Sequence, residues 1–290
     1  LLDGVNSEGL VGGLLLLEEG TSIPAAEAGS SGVMGMELVT ALLATCRNVT
    51  EVCQAAKDIR ITDIPAETGF LPATMHYFFL DAAGNTAVLE AADPAQPGRL
   101  TCYREDSIGV MTNSPPYLRQ LDNLRWFLSQ SPELHHGGDD CPICQPAWEG
   151  VRLAADPSAL HMTQSGLLPA SYAPYDRFVR LAVLKALNHD GQWIDDAQML
   201  PLGSGLLHSV FEPHSRGVYH YRRLDEHGMP AGCSDGYTQY CVMYAPEQQT
   251  MYLQPFDSTA WTKIALRSCD TALLQRHPIN RSAMAGVVER

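Results

Sequence analysis

The stretch GVMTNSPPYLRQLDNLRWF, residues 109–127, constrains the fold more than any other, because a polar corner joins an apolar strand to an amphipathic helix. The corner is Thr112, Asn113 and Ser114. Pro115 and Pro116 turn the residues before them away from helical backbone, so a strand has to end there, and they suit the first turn of the helix that follows. Leu118, Leu121, Leu124, Arg125 and Leu128 recur at helical spacing, with Arg119 and Asp122 on the other face. Asn113 therefore stands at a strand end, where a side-chain amide can be aimed at a reacting group. The competing reading is a turn-forming Asn that satisfies its own backbone.

The residues around the corner read in chain order as follows. Asp3 to Leu17 is a β-hairpin turning at Asn6, Ser7, Glu8 and Gly9. Residues 18–31, rich in Gly, Ser and Ala, read as a loop at the mouth of a pocket. Met36 to Cys46 and Thr50 to Ile59 are helices, with Asn48 or Thr50 capping the second, and Cys46 and Cys53 on their apolar faces read as core thiols. Thr74 to Asp81, Thr86 to Ala92, Arg99 to Tyr103 and Ser107 to Thr112 read as an antiparallel meander ending at Asn113. His76, among aromatic neighbours, is a packed strand residue rather than a base.

Beyond the corner, SPELHHGGDDCPICQP (131–146) looks like an insertion whose His135, Cys141 and Cys144 offer a zinc site as a weak alternative to a plain loop or a local disulfide. The helix within 166–187 buries Phe178, Leu181, Ala182, Leu184 and Leu187. Asp195 to Pro213 is a helix and loop; Gly217 to Leu224, Thr238 to Ala245 and Thr250 to Pro255 are strands, and the tail from Leu273 is helical, then loose. Cys102, Cys233 and Cys241 fall in strands as structural residues.

Several of these segments resemble, in order, those of the choloylglycine hydrolase family, which includes bile salt hydrolases and penicillin V acylases. The corner matches a T-N-x-P segment followed by an x-x-x-L-x-N-L helix, and Asp3 to Leu17 matches D-x-x-N-x-x-G-L. GLLPASYAPYDRFVR matches the segment carrying the family's active-site arginine, here Arg177, with Ala170 for the usual Gly and Tyr172 to Tyr175 in place of a Ser-rich turn. MYLQPFDSTAWTKI is similar to the closing strand.

The resemblance implies an α+β fold, a four-layer αββα sandwich of the N-terminal nucleophile hydrolase type, in one domain over 1–290. It implies hydrolysis of a linear N-acyl amide without a cofactor, and assembly as a homotetramer. Asn113 would donate to the oxyanion and Arg177 would orient a cysteine nucleophile whose own α-amino group is the base. Leu16 falls where relatives place an oxyanion-binding Asn or Tyr, and is a substrate-binding candidate that donates no hydrogen bond from its side chain. The family's Cys precedes the hairpin by several tens of residues, so the expectation is a fragment lacking its nucleophile. An internal Cys paired with a His is the remaining catalytic option, and a binding or assembly protein that kept the fold is the alternative function.

A net charge of −14, with no run of Lys and Arg, argues against nucleic-acid or anionic-membrane surfaces. The apolar run Leu10 to Leu17 is too short to cross a bilayer. Eight cysteines in 290 residues do not make a disulfide scaffold, so the compartment stays open.

Overall fold

The computed structural model describes residues 2–17, 20–24, 32–62, 74–130, 168–187, 196–213, 220–224, 230–235, 237–266 and 287–289. Strands β1 (Asp3–Val5) and β2 (Val11–Leu16) form the expected hairpin. After the two-residue strand β3 (Val33–Met34) come helices α1 (Leu38–Thr45) and α2 (Val49–Ala56), then the short β4 (Ile61–Thr62), which pairs parallel with β3. Turn side chains tie these pieces together by meeting the open ends of helices. Asn6 Nδ2 donates to the carbonyls of Leu43 and Cys46 at 2.9 and 2.8 Å, at the C-terminal end of α1. Asn48 caps α2, its Oδ1 accepting from the Glu51 N–H at 2.9 Å.

Strands β5 (Met75–Leu80), β6 (Thr86–Glu90) and β7 (Thr101–Tyr103) complete an antiparallel sheet in the order β1-β2-β5-β6-β7. Strand alternation gives this sheet two different faces. Leu14, Met75, Tyr77, Phe79, Ala87 and Leu89 pack with Leu38, Leu42, Val49 and Val52 of α1 and α2. Phe78 and Val88 point the other way, into a second cluster with α3 (Tyr117–Gln130) and α4 (Pro174–Leu187).

The expected fourth strand at 107–112 does not form. Its backbone groups are taken by side chains instead of a neighbouring strand: Tyr117 Oη accepts the Ile108 N–H at 3.0 Å, and Lys185 Nζ donates to the carbonyls of Ile108 and Gly109 at 2.8 and 3.3 Å. Gly109, at φ +68°, also leaves the extended region, and a Cβ there would meet Lys185 Nζ. Burial pushes the Lys185 ammonium below its ordinary pKa.

The apolar stripes of both helices are shifted from their expected positions. In α3 the buried residues are Tyr117, Gln120, Leu121 and Leu124, whereas Leu118 is 46% exposed. In α4 they are Pro174, Phe178, Val179, Arg180, Ala182, Val183 and Ala186, with Leu181 and Leu184 half-buried. A second correction concerns Cys53. It forms a disulfide with Cys102, joining α2 to β7, because the two Cα atoms face each other 5.8 Å apart. Cys46 is a free buried thiol, its pKa raised chiefly by burial.

The second sheet runs β10 (Tyr240–Ala245), β11 (Thr250–Pro255), β12 (Trp261–Ala265) and β13 (Val287–Glu289), after helix α5 (Asp196–His208) and the hairpin of β8 (His220–Leu224) and β9 (Pro230–Asp235). β9 carries the strand expected at Cys233, β12 falls mostly within the segment likened to a closing strand, and β13 pairs parallel with β12 where a loose end was expected. α5 packs Met199, Leu200 and Leu207 against Cys241, Tyr252 and Trp261. Asp3 joins the sheets by accepting from the hydroxyls of Tyr240, at 2.8 Å, and Tyr244. Among the described residues no helix is long and apolar enough to cross a membrane.

Candidate active site

Three segments far apart in sequence converge where β2 ends. The corner Thr112 to Pro116 is held from beneath by Gln120, fully buried one turn into α3. Its Nε2 lies 2.5 Å from the Asn113 carbonyl, 2.6 Å from that of Pro115 and 3.3 Å from that of Thr112. Thr112 Oγ1 reaches the Pro174 carbonyl at 2.8 Å, fastening the corner to the start of α4. Gly20 brings the chain that leaves β2 against the corner: at φ +75°, a Cβ there would fall 2.5 Å from Pro116 Cγ.

Below the corner lies a buried polar group. Glu90 Oε1 accepts from His76 Nδ1 at 2.9 Å and from the Tyr117 N–H at 2.8 Å, so a carboxylate meets the first N–H of α3. His76 and Glu90 are both fully buried, and His76 Nε2 and Glu90 Oε2 have no hydrogen-bond partner among the described residues. Burial pushes the Tyr117 phenol up to about 12.

The structure brings Asn113, Arg177 and Leu16 together. Arg177 Nη2 donates to Asn113 Oδ1 at 2.9 Å, and Asn113 Nδ2 donates to the Leu16 carbonyl at 3.2 Å. The guanidinium thereby fixes which end of the amide is oxygen, and the amide keeps a second N–H that the Leu16 carbonyl does not take. The Leu16 side chain packs with the α1 and α2 cluster, so its contribution here is main-chain. Arg177 Nε donates to the Tyr172 carbonyl at 3.0 Å. Arg180 steadies that loop by donating to the carbonyls of Pro169, Ser171 and Ser209.

An arginine in the first turn of a helix is misplaced for the dipole and calls for an anionic partner. That partner is Glu212, its Oε1 3.2 Å from Arg177 Nη2, with the two side chains 13% and 14% exposed. Glu212 escaped the sequence reading because it stands alone in the loop after α5. Gln120 was legible as a polar residue among the apolar positions of α3. Cys141, Cys144 and His135 lie outside the described residues, and no group of three His, Cys, Asp or Glu among the described residues is placed to hold a metal.

Residues 1–193 match the family model described as linear amide C–N hydrolases, choloylglycine hydrolase family. The bile salt hydrolase/transferase of Clostridium perfringens is 28% identical over 148 residues, 50% of this chain and 39% of that protein. The penicillin V acylase of Pectobacterium atrosepticum is 31% identical over 129 residues, 43% of this chain and 33% of that protein. The chain thus spans about two fifths and one third of these curated relatives. A solved structure of a mutant conjugated bile acid hydrolase from C. perfringens superposes over 98% of this chain and 78% of its own, with a TM-score of 0.69 at 21% identity. That likeness establishes a shared mixed helix-and-sheet fold.

Proposed function

The chain belongs to the choloylglycine hydrolase family of linear amide C–N hydrolases, and from that premise we propose that it is part of an amidase acting on small N-acyl amides. The observation that carries this reading is the Asn113 amide, clamped between Arg177 Nη2 and the Leu16 carbonyl, with a second N–H that has no partner among the described residues. A preoriented donor of this kind stabilises the charge that develops on a carbonyl oxygen under attack, and such donors contribute about 3 kcal/mol to the barrier.

The proposed nucleophile is a cysteine at a mature N-terminus outside these 290 residues. Its thiolate adds to the amide carbon, placing negative charge on the oxygen, while its α-amino group takes the thiol proton and passes it to the amine as the C–N bond breaks. Water then cleaves the thioester and frees the acid. The four cysteines whose side chains are described support an outside nucleophile: Cys53 and Cys102 are bridged, and burial raises the thiol pKa of Cys46 and Cys241, the latter to about 11. For the fold of the full-length protein we propose the four-layer αββα sandwich, which the two tyrosines joining both sheets at Asp3 support.

The test replaces Asn113 by Ala in the full-length protein and follows hydrolysis of penicillin V and a conjugated bile acid. Activity that survives intact removes Asn113 from the oxyanion role. One observation favours the second reading, a binding protein that kept the fold: Leu16 offers only a carbonyl where a side-chain donor is expected. The N-terminal sequence of the native protein separates the two, since a leading Cys supports the amidase and its absence the binder.

A further inference from the structure

We infer that Glu212 is a positioning residue for the Asn113–Arg177 pair, tethering the guanidinium so that it sets the asparagine's donor face. The geometry assigns each Arg177 donor. Nε donates to the Tyr172 carbonyl at 3.0 Å; Nη2 donates a hydrogen bond to Asn113 Oδ1 at 2.9 Å and forms an ion pair with Glu212 Oε1 at 3.2 Å. The same nitrogen therefore couples carboxylate to amide. Nη1 has no hydrogen-bond partner among the described residues, which leaves that edge open.

Glu212 is suited to the task because its backbone is held on both sides. Its N–H donates to Thr238 Oγ1 at 2.9 Å and its carbonyl accepts from the Thr238 N–H at 3.0 Å. Phe211 stacks on Phe256, which also meets Tyr237 edge-on at 4.8 Å. The loop after α5 is thus pinned at the start of β10, and Glu212 reaches Arg177 from a rigid base. With the carboxylate gone, a nearly buried cation loses its counter-charge and shifts toward other acceptors. Asn113 then loses the contact that fixes its flip, and a turned amide presents oxygen where the oxyanion needs N–H. That interaction exists only in the transition state, so the loss falls on kcat and not on KM.

The kinetic consequence rests on the amidase reading; the tether itself does not. The experiment compares Glu212→Ala and Glu212→Gln in the full-length protein, by crystal structure and by hydrolysis of penicillin V and a conjugated bile acid. Glu212→Ala is expected to lengthen the Arg177 Nη2 to Asn113 Oδ1 distance beyond hydrogen-bonding range and to lower kcat roughly 30-fold with KM within about twofold. Glu212→Gln, which keeps the acceptor without the charge, is expected to restore the contact and to bring kcat within about threefold of the parent. An unchanged Arg177–Asn113 contact in Glu212→Ala overturns the inference, as does a Glu212→Gln protein no better than Glu212→Ala. If the parent hydrolyses neither probe the amidase reading fails, and the two crystal structures alone decide the tether.

Discussion

Glu90 and Glu212 each use one carboxylate oxygen to hold a donor beside the start of a helix, yet they do so in opposite surroundings. Glu90 is fully buried, and its Oε1 takes both His76 Nδ1 and the Tyr117 N–H. Glu212 keeps 13% exposure and takes Arg177, which has further donors to spend on Asn113. The inner group fixes where α3 begins, with His76 Nε2 and Glu90 Oε2 left without a hydrogen-bond partner among the described residues. The outer group ends in N–H groups, on the Asn113 amide and on Arg177 Nη1, that have no partner among the described residues. Exposure separates anchoring from chemistry, since only the outer groups stand where water or substrate can reach them.

Breaking the inner group should have the largest effect. Glu90→Ala strips the acceptor from two buried donors and is expected to cost about 4 kcal/mol in urea unfolding; a loss under 1 kcal/mol would deny it the anchoring role. Asn113→Ala should show the reverse signature: about 3 kcal/mol lost from the catalytic barrier of the full-length protein, with unfolding free energy changed by less than about 1 kcal/mol. Equal losses in both would erase the distinction.

Alkaline pH probes the inner group more gently. Burial raises the folded Tyr117 phenol from 10.0 to about 12, so the neutral phenol stabilises the fold fully below pH 10. That contribution is lost as pH rises from 10 toward about 12, amounting to roughly 2 kcal/mol. Tyr117→Phe should flatten this part of the stability profile, and an unchanged slope would assign it to other groups. The smallest effect sharpens the outer group. Leu16→Asn keeps the carbonyl that meets Asn113 but puts an amide into the α1 and α2 cluster, so it should lower the unfolding free energy by about 1 kcal/mol without raising amidase activity in the full-length protein; a rise in activity would show that the side chain at 16 reaches the oxyanion.

Legibility in the sequence followed how local each determinant is. The hairpin at Asn6, the Asn48 cap, the strands 75–80 and 86–90, and the helices on either side of the corner carry their signals within a few residues. The segment 107–112 looks like a strand by alternation, but Gly109 and the side chains of Tyr117 and Lys185 hold it as an irregular extended run. α3 reads correctly as a helix, while its buried stripe starts at Tyr117 because that ring meets both Tyr103 and Phe178. Cys53 shows nothing of Cys102 from 49 residues away.

Asn113 and Arg177 were named from their local segments, and their meeting was not. Turn chemistry, caps and periodicity depend on neighbours in the chain, and these determined the corner and the helices that flank it, while the family was legible in the motifs that the chain resembles in order. Only the tertiary structure decided that Arg177 turns to Glu212 and Asn113, that Leu16 contributes its carbonyl, and that His76 and Glu90 bury a hydrogen bond under α3. Such contacts join residues from 14 to 97 positions apart. Their partners are chosen by packing and by the need to satisfy buried donors, which no stretch of sequence states by itself.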